Sequence, residues 1–121
     1  MSPELDKKLC EKYPKIFVNR HGDKRTTAMC WGFECGDGWF NIIDALCAEL
    51  KDRNVVATQV KEKFGSLRFY YDGGDEECYC LISLAERLSE VTCEVCGKPG
   101  EIDNNANWLK CACPEHREDK P

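Results

Sequence analysis

Two short spacings near the C-terminal end of the chain carry its clearest chemistry: Cys93-x-x-Cys96 followed by a glycine, and Cys113-Pro-Glu-His116. A two-residue gap lets the backbone fold back so that both side chains face one ion, and the glycine relieves the tight turn. Three thiols and one imidazole arriving as two close pairs suit a tetrahedral Zn²⁺ with no open coordination position, which makes the metal structural. The intervening polar run "NNANWLK" makes no core unaided, so metal binding is expected to supply much of this segment's folding free energy. Cys111 is an alternative ligand to Cys113 or His116, although C-x-C closes a smaller chelate and leaves His116 without a role. Cys113 is therefore preferred. A second set, Cys30, Cys35, Cys78 and Cys80, chelates poorly if Cys78 and Cys80 lie on a helix, because two residues turn about 200°. Cys10 and Cys47 read as small core residues.

A different mixture occupies "WGFECGDGWF", Trp31 to Phe40, where large rings, two acids and glycines crowd around a cysteine. A glycine-rich turn before a helix can cradle an anion through its free N–H groups. Asp37 opposes that reading, since a capping carboxylate takes those donors and repels phosphate; the simpler account makes Asp37 an N-cap. The fuller account adds neighbours. Trp31, Trp39 and Tyr70 offer faces for a base, Lys61, Lys63 and Arg68 offer cations for phosphate, and Glu34 and Asp37 can accept from ribose hydroxyls. Together they describe a nucleotide-like cleft between the Trp31–Trp39 segment and a hairpin, in competition with the plain use of the rings as core. No nucleophile and base pair up: His21 lies in a polar loop, His116 is spent on metal, and Glu34 and Asp37 sit in a bend with nothing to fix their geometry. The expectation is a protein that binds without catalysis.

The elements that must position these groups follow from periodicity. Ser2 as N-cap, Pro3 at the first helical position and the Leu5/Leu9 repeat predict a helix ending before Pro14. Lys15 to Val18 read as extended, and "AMCWGFEC" as a strand interrupted at Asp37 and Gly38. Trp39, Ile42, Ile43, Leu46, Cys47 and Leu50 follow helical spacing. Val55 to Lys63 and Leu67 to Tyr71 flank a turn near Gly65 and Ser66, which predicts a β-hairpin. Asp75 opens another helix with Leu81, Ile82, Ala85 and Leu88 as its buried stripe, ending near Val91. The fold class is thus α+β: a hairpin or antiparallel sheet packed by two or three helices over residues 1–92, and a zinc-ribbon-like module with an acidic tail over 93–121.

A chain of 121 residues fits one domain with a modest core, for which a metal staple is a useful supplement. A net charge of −5 argues against sequence-independent binding to a phosphate backbone. No apolar run is long enough to cross a bilayer, and "MSPELDKKLCEKYPK" lacks the apolar region of a secretory signal, which places the chain in a cytoplasm. There its ten cysteines are thiols or metal ligands rather than disulfides.

"WGFECGDGWFNIID", "QVKEKFGSLRFYY" and "TCEVCGKPG" followed by "CPEH" resemble, in this order, a family of small uncharacterised proteins of tailed bacteriophages and prophages. The likeness spans roughly Tyr13 to His116. It implies Cys93, Cys96, Cys113 and His116 as the metal set, and no activity. It also implies a host-cytoplasmic setting in which small accessory proteins blunt defence, by sequestering a nucleotide-derived immune signal or by binding a host defence protein. A zinc-ribbon accessory to nucleic-acid transactions is the alternative, and association with further copies of the chain stays open.

Overall fold

The computed structural model describes residues 1–103 and 109–117; the first five residues of the "NNANWLK" run, 104 to 108, and the acidic tail from 118 lie outside the described residues. Three helices, α1 (Pro3–Lys12), α2 (Phe40–Leu50) and α3 (Glu76–Ser89), accompany a sheet of β1 (Phe33–Glu34), β2 (Val55–Lys63) and β3 (Ser66–Gly73). A second, small sheet joins β4 (Glu101–Ile102) to β5 (Cys111–Ala112). The architecture is α+β. The main sheet is mixed rather than purely antiparallel, because β1 lies parallel to β2 while β2 and β3 form the hairpin.

The hairpin turn is made by Phe64 and Gly65, both at positive φ, as a two-residue turn of this hand requires. Glu62 steadies it by accepting the Gly65 N–H at 2.7 Å. Register then sorts the two faces: Phe33, Val60 and Phe69 align in one row and are buried, while Glu34, Lys61 and Arg68 align on the opposite face. Phe17 covers the apolar row, meeting Phe33 edge-on at 4.8 Å and Phe69 at 6.5 Å between ring centroids. α2 contributes Ile43, Leu46, Cys47 and Leu50 to the same core, and α1 contributes Leu9.

α3 does more than cover the core. The Ser89 hydroxyl accepts the Leu67 N–H and the Glu86 carboxylate accepts the Phe69 N–H, each at 2.9 Å. Two outward backbone donors of edge strand β3 are thereby satisfied, which covers the first half of that edge. This requirement rotates the helix relative to the expected stripe. Cys78, Ile82, Ala85 and Ser89 face inward, Leu81 is half-buried, and Leu88 stands 47% exposed.

Three local expectations fail for identifiable reasons. Residues 14–20 form turns instead of an extended run, and the Ile16 carbonyl accepts the Ala57 N–H at 2.9 Å where β2 is bulged. Ala28–Trp31 is a 3₁₀ turn rather than strand, because the Thr27 hydroxyl caps it at Met29 N and Gly32 leaves it at φ +78°. Only Phe33 and Glu34 remain as strand. Asp37 caps nothing: a 3₁₀ turn over Asp37–Trp39 leads into α2 without a side-chain cap, and the Asp37 carboxylate accepts the Ser2 N–H at 2.7 Å. The predicted cap Ser2 does hold, accepting from Leu5 N, and Asp75, where the next helix was expected to open, caps it by accepting from Cys78 N. No helix among the described residues is long and apolar enough to cross a membrane.

The segment after α1 is pinned to α2 by Tyr13, whose hydroxyl donates to the Asp44 carboxylate at 2.7 Å beside Lys12 at 2.9 Å. The Tyr13 hydroxyl foremost, against some desolvation, holds the Asp44 carboxyl below its ordinary value. A carboxyl lowered on folding stabilises above its unfolded value, near 3.9, and stops doing so as pH falls through the folded one. Asp44→Asn is expected to cost about 1 kcal/mol at neutral pH. In urea titrations the gap between variant and parent should close below about pH 4.

Candidate metal centre

The first pair of ligands sits on a turn directly after α3. Gly97, at φ +82°, donates to the Cys93 carbonyl at 2.9 Å while Cys93 N donates to Lys98 O at 2.7 Å, so the Cys93–Cys96 side chains share one side of a closed knuckle. The β4–β5 pair brings the chain back, and a second turn closes with His116 N on Cys113 O at 3.0 Å. The ligand atoms of Cys93, Cys96, Cys113 and His116 all lie within 4.8 Å of one another. Cys96 and Cys113 sulfurs stand 3.7 Å apart, and His116 Nδ1 stands 3.6 Å from the Cys93 sulfur and 3.1 Å from that of Cys113. A tetrahedral ion with metal–sulfur bonds of about 2.3 Å places its sulfurs about 3.8 Å apart, so the cluster can hold one metal ion and its dimensions are compatible with zinc.

The electrostatics of the cluster also call for a cation. Burial raises the Cys93 thiol, but the N–H groups of Cys113, Cys96 and Val95 outweigh it and bring the pKa down to about 6. Cys96 moves the other way: the Lys98 N–H lowers it, but desolvation and the neighbouring thiols of Cys113 and Cys93 prevail. One thiolate forms readily and makes the next harder to form, a conflict that a divalent ion removes. Cys111 stays outside the set. It is fully buried in the main core, and desolvation first, then its anionic neighbours, pushes its thiol up to about 11. Cys30, Cys35, Cys78 and Cys80 form no second cluster, for among the described residues only one group of converging ligand atoms occurs. Cys35 and Cys78 are core residues, while Cys80 is exposed. Cys47 is buried as expected, and Cys10 packs half-buried against the core.

What holds the knuckle against the rest of the chain is the stretch that first suggested a ligand site. Gly38 N donates to Glu94 O at 2.7 Å, Gly36 N donates to the Glu94 carboxylate at 2.8 Å, and the Trp39 indole donates to Thr92 O at 2.9 Å. From the other side, Glu94 N donates to Cys111 O at 3.1 Å. The two glycines are there for close approach. A Cβ on Gly36 would lie 2.4 Å from Glu94 O, and one on Gly38 would lie 2.2 Å from Cys93 O. Both are far inside contact distance, and both obstacles are backbone. The knuckle thus beds directly on the turn that starts α2.

The eight residues expected to bind a ligand divide into two groups. Glu34, Lys61, Lys63, Arg68 and Tyr70 share the outer face of the sheet by register, with Gln59 donating to Glu34 at 3.4 Å. Trp31, Asp37 and Trp39 do not join them. Trp39 is fully buried beneath the knuckle, Asp37 is bonded to Ser2 N, and Trp31 stands 64% exposed beside α1. The expected cleft between the Trp31–Trp39 segment and the hairpin is replaced by an open sheet face. Missed by sequence reasoning were the Gly36/Gly38 contact and Glu94, whose burial raises its carboxyl despite the Gly36 N–H. The paired glycines around Asp37 were the only available signal.

The chain is a small α+β protein with a Cys₃His cluster docked on its core. No family model, no curated protein and no solved structure matches it.

Elemental analysis of purified variants checks the ligand set. Cys113→Ser is expected to lose stoichiometric metal and to melt at lower temperature, whereas Cys111→Ala should keep its metal and lose only packing, about 1–2 kcal/mol. Gly38→Ala, although no ligand is touched, should cost about 2 kcal/mol or more through overpacking. It should also release its metal to a chelator faster than the parent.

Proposed function

We propose that the cluster carries Zn²⁺ as a permanent structural ion, and that the protein is a noncatalytic binder taking a nucleotide-type ligand on the outer face of its sheet. In the phage setting that the sequence resemblance implies, such a binder counters host defence by sequestering a nucleotide-derived immune signal. The zinc supplies rigidity: four ligands leave no position for a reacting water, and the ion's role is to hold the knuckle closed.

One observation carries the binding proposal. Lys61 and Arg68 stand directly opposite each other across β2 and β3, and neither is ion-paired among the described residues. Like charges in that position repel, and an anion placed between them turns the cost into a gain. Arg68 Nε is shielded from solvent with no partner among the described residues. Around this pair lie Tyr70, 43% exposed, as a ring for stacking, Lys63 as a further cation, and Glu34 as an acceptor for sugar hydroxyls.

A second reading, binding of a host protein, has its own support. Leu84, Leu88, Val91 and Val95 are all exposed at spacings of four, three and four, so α3 and the knuckle present apolar side chains outward.

Equilibrium titration of the zinc-loaded protein with linear and cyclic nucleotides decides between these readings. Retention of a nucleotide, recovered chemically unchanged, is expected. Arg68→Ala should weaken it at least tenfold with an unchanged melting temperature. Nucleotide turnover would contradict the noncatalytic proposal, and steeply salt-dependent binding of single-stranded DNA in its place would favour the nucleic-acid accessory. Failure to retain any nucleotide would remove the sheet-face reading and leave the apolar stripe.

A further inference from the structure

We infer that the protein has a second small-molecule site, remote in composition from the sheet face, in the cavity between α1 and the Trp31–Phe33 segment, and that it takes a planar ring bearing one anionic group. The cavity measures about 650 Å³. That falls within the roughly 300–1,000 Å³ usual for small-molecule sites. Its walls come from three separate stretches: α1, the turn holding Arg20 and His21, and Trp31 with Phe33.

The anchor for an anion is Arg20, and it is already held in place. Its Nε donates to the Asp6 carboxylate at 3.0 Å and its Nη1 to the Cys30 carbonyl at 3.0 Å, while Nη2 makes no hydrogen bond among the described residues. A guanidinium fixed at two nitrogens presents the third without further loss of rotamer freedom. The pair lies against the backbone between Trp31 and Phe33 only because residue 32 is glycine. A Cβ there would come 2.7 Å from Asp6 Oδ2 and 3.0 Å from Arg20 Nη2, and φ is +78° besides. Asp6 and Arg20 pair at 3.0 Å and Lys7 and Glu11 at 3.8 Å, so these charges of the wall cancel two by two, and the guanidinium serves as an oriented donor edge near the exposed His21 ring.

The anchor for a ring is Trp31. This core has room for Trp39, Phe17 and Phe33, yet the Trp31 indole remains 64% exposed at the cavity wall. Phe33 forms part of the same wall, giving apolar surface beside a fixed cationic donor. A nucleoside monophosphate and an aromatic carboxylate share this chemistry.

Amide NMR of the full-length, zinc-loaded protein tests the site, with adenosine monophosphate and indole-3-carboxylate as probes. Adenosine and inorganic phosphate serve as ring-only and anion-only controls. Saturable shifts at the Trp31 indole N–H and at the amides of Lys7, Cys10 and His21 are expected for at least one ring-bearing anion, with both controls at least tenfold weaker. Whichever probe saturates identifies the source of the ring. Trp31→Ala and His21→Ala, both at exposed positions, should weaken binding about tenfold and several-fold respectively at unchanged melting temperature. No saturable shift at millimolar probe, shifts insensitive to Trp31→Ala, or shifts confined to Lys61, Arg68 and Tyr70 would each overturn the inference. The last result would at the same time support the sheet-face site, so the two readings fail separately.

Discussion

The structure depends on a close contact between two turns: the Cys93–Gly97 knuckle meets the Gly36–Trp39 turn backbone to backbone at Gly36 and Gly38. Gly38 N on Glu94 O and the Trp39 indole on Thr92 O tie the start of α2 to the end of α3. Such a contact is possible only where Cβ atoms are missing, and it leaves neither partner free to shift alone. The cluster therefore does more than order its own loop. By fixing Cys93 and Cys96, a bound ion holds the Thr92–Glu94 backbone that covers Trp39, and through Trp39 it reaches the central core.

That coupling suits a chain of this size. A domain of 121 residues buries a limited apolar area, and metal coordination adds free energy that side-chain packing does not supply. The thiols show what an ion would do there. Backbone N–H groups lower Cys93 while the neighbouring thiols raise Cys96, a conflict between adjacent thiolates that a bound divalent ion would relieve. The same economy appears at β3, where Ser89 and Glu86 of α3 accept the backbone N–H groups of Leu67 and Phe69 at the edge of the sheet. In each case a polar group that would otherwise be left unsatisfied is matched across two elements distant in sequence.

With the interior so committed, the proposed binding surfaces are those that the core leaves alone. The outer sheet face keeps Lys61 and Arg68 opposite each other with neither in an ion pair among the described residues, and the α1 cavity keeps a fixed guanidinium beside an exposed indole. The first places like charges side by side, a cost that an anion between them would relieve, whereas the second is already paired with Asp6 and offers a held donor edge.

Local pattern alone determined what depends on neighbours in the chain. The ligand set was legible because a two-residue gap fixes which side chains share a turn, and Cys113 was favoured over Cys111 on chelate size, as the cluster geometry bears out. The three helices, the β2–β3 hairpin, the cap Ser2 and the helix start at Asp75 were legible because amphipathic period and capping are short-range effects. Tertiary structure alone decided the rest. Asp37 had the right type and place for a cap, but Ser2 N claimed its carboxylate; Leu88 had the right period for the core, but Ser89 was needed against Leu67 N. Trp39 and Trp31, alike in sequence context, ended buried and exposed because only the approach of residues 92–97 covered one of them. Competition of this kind is settled by groups 22, 35 and 53 positions away, and a local window contains none of them.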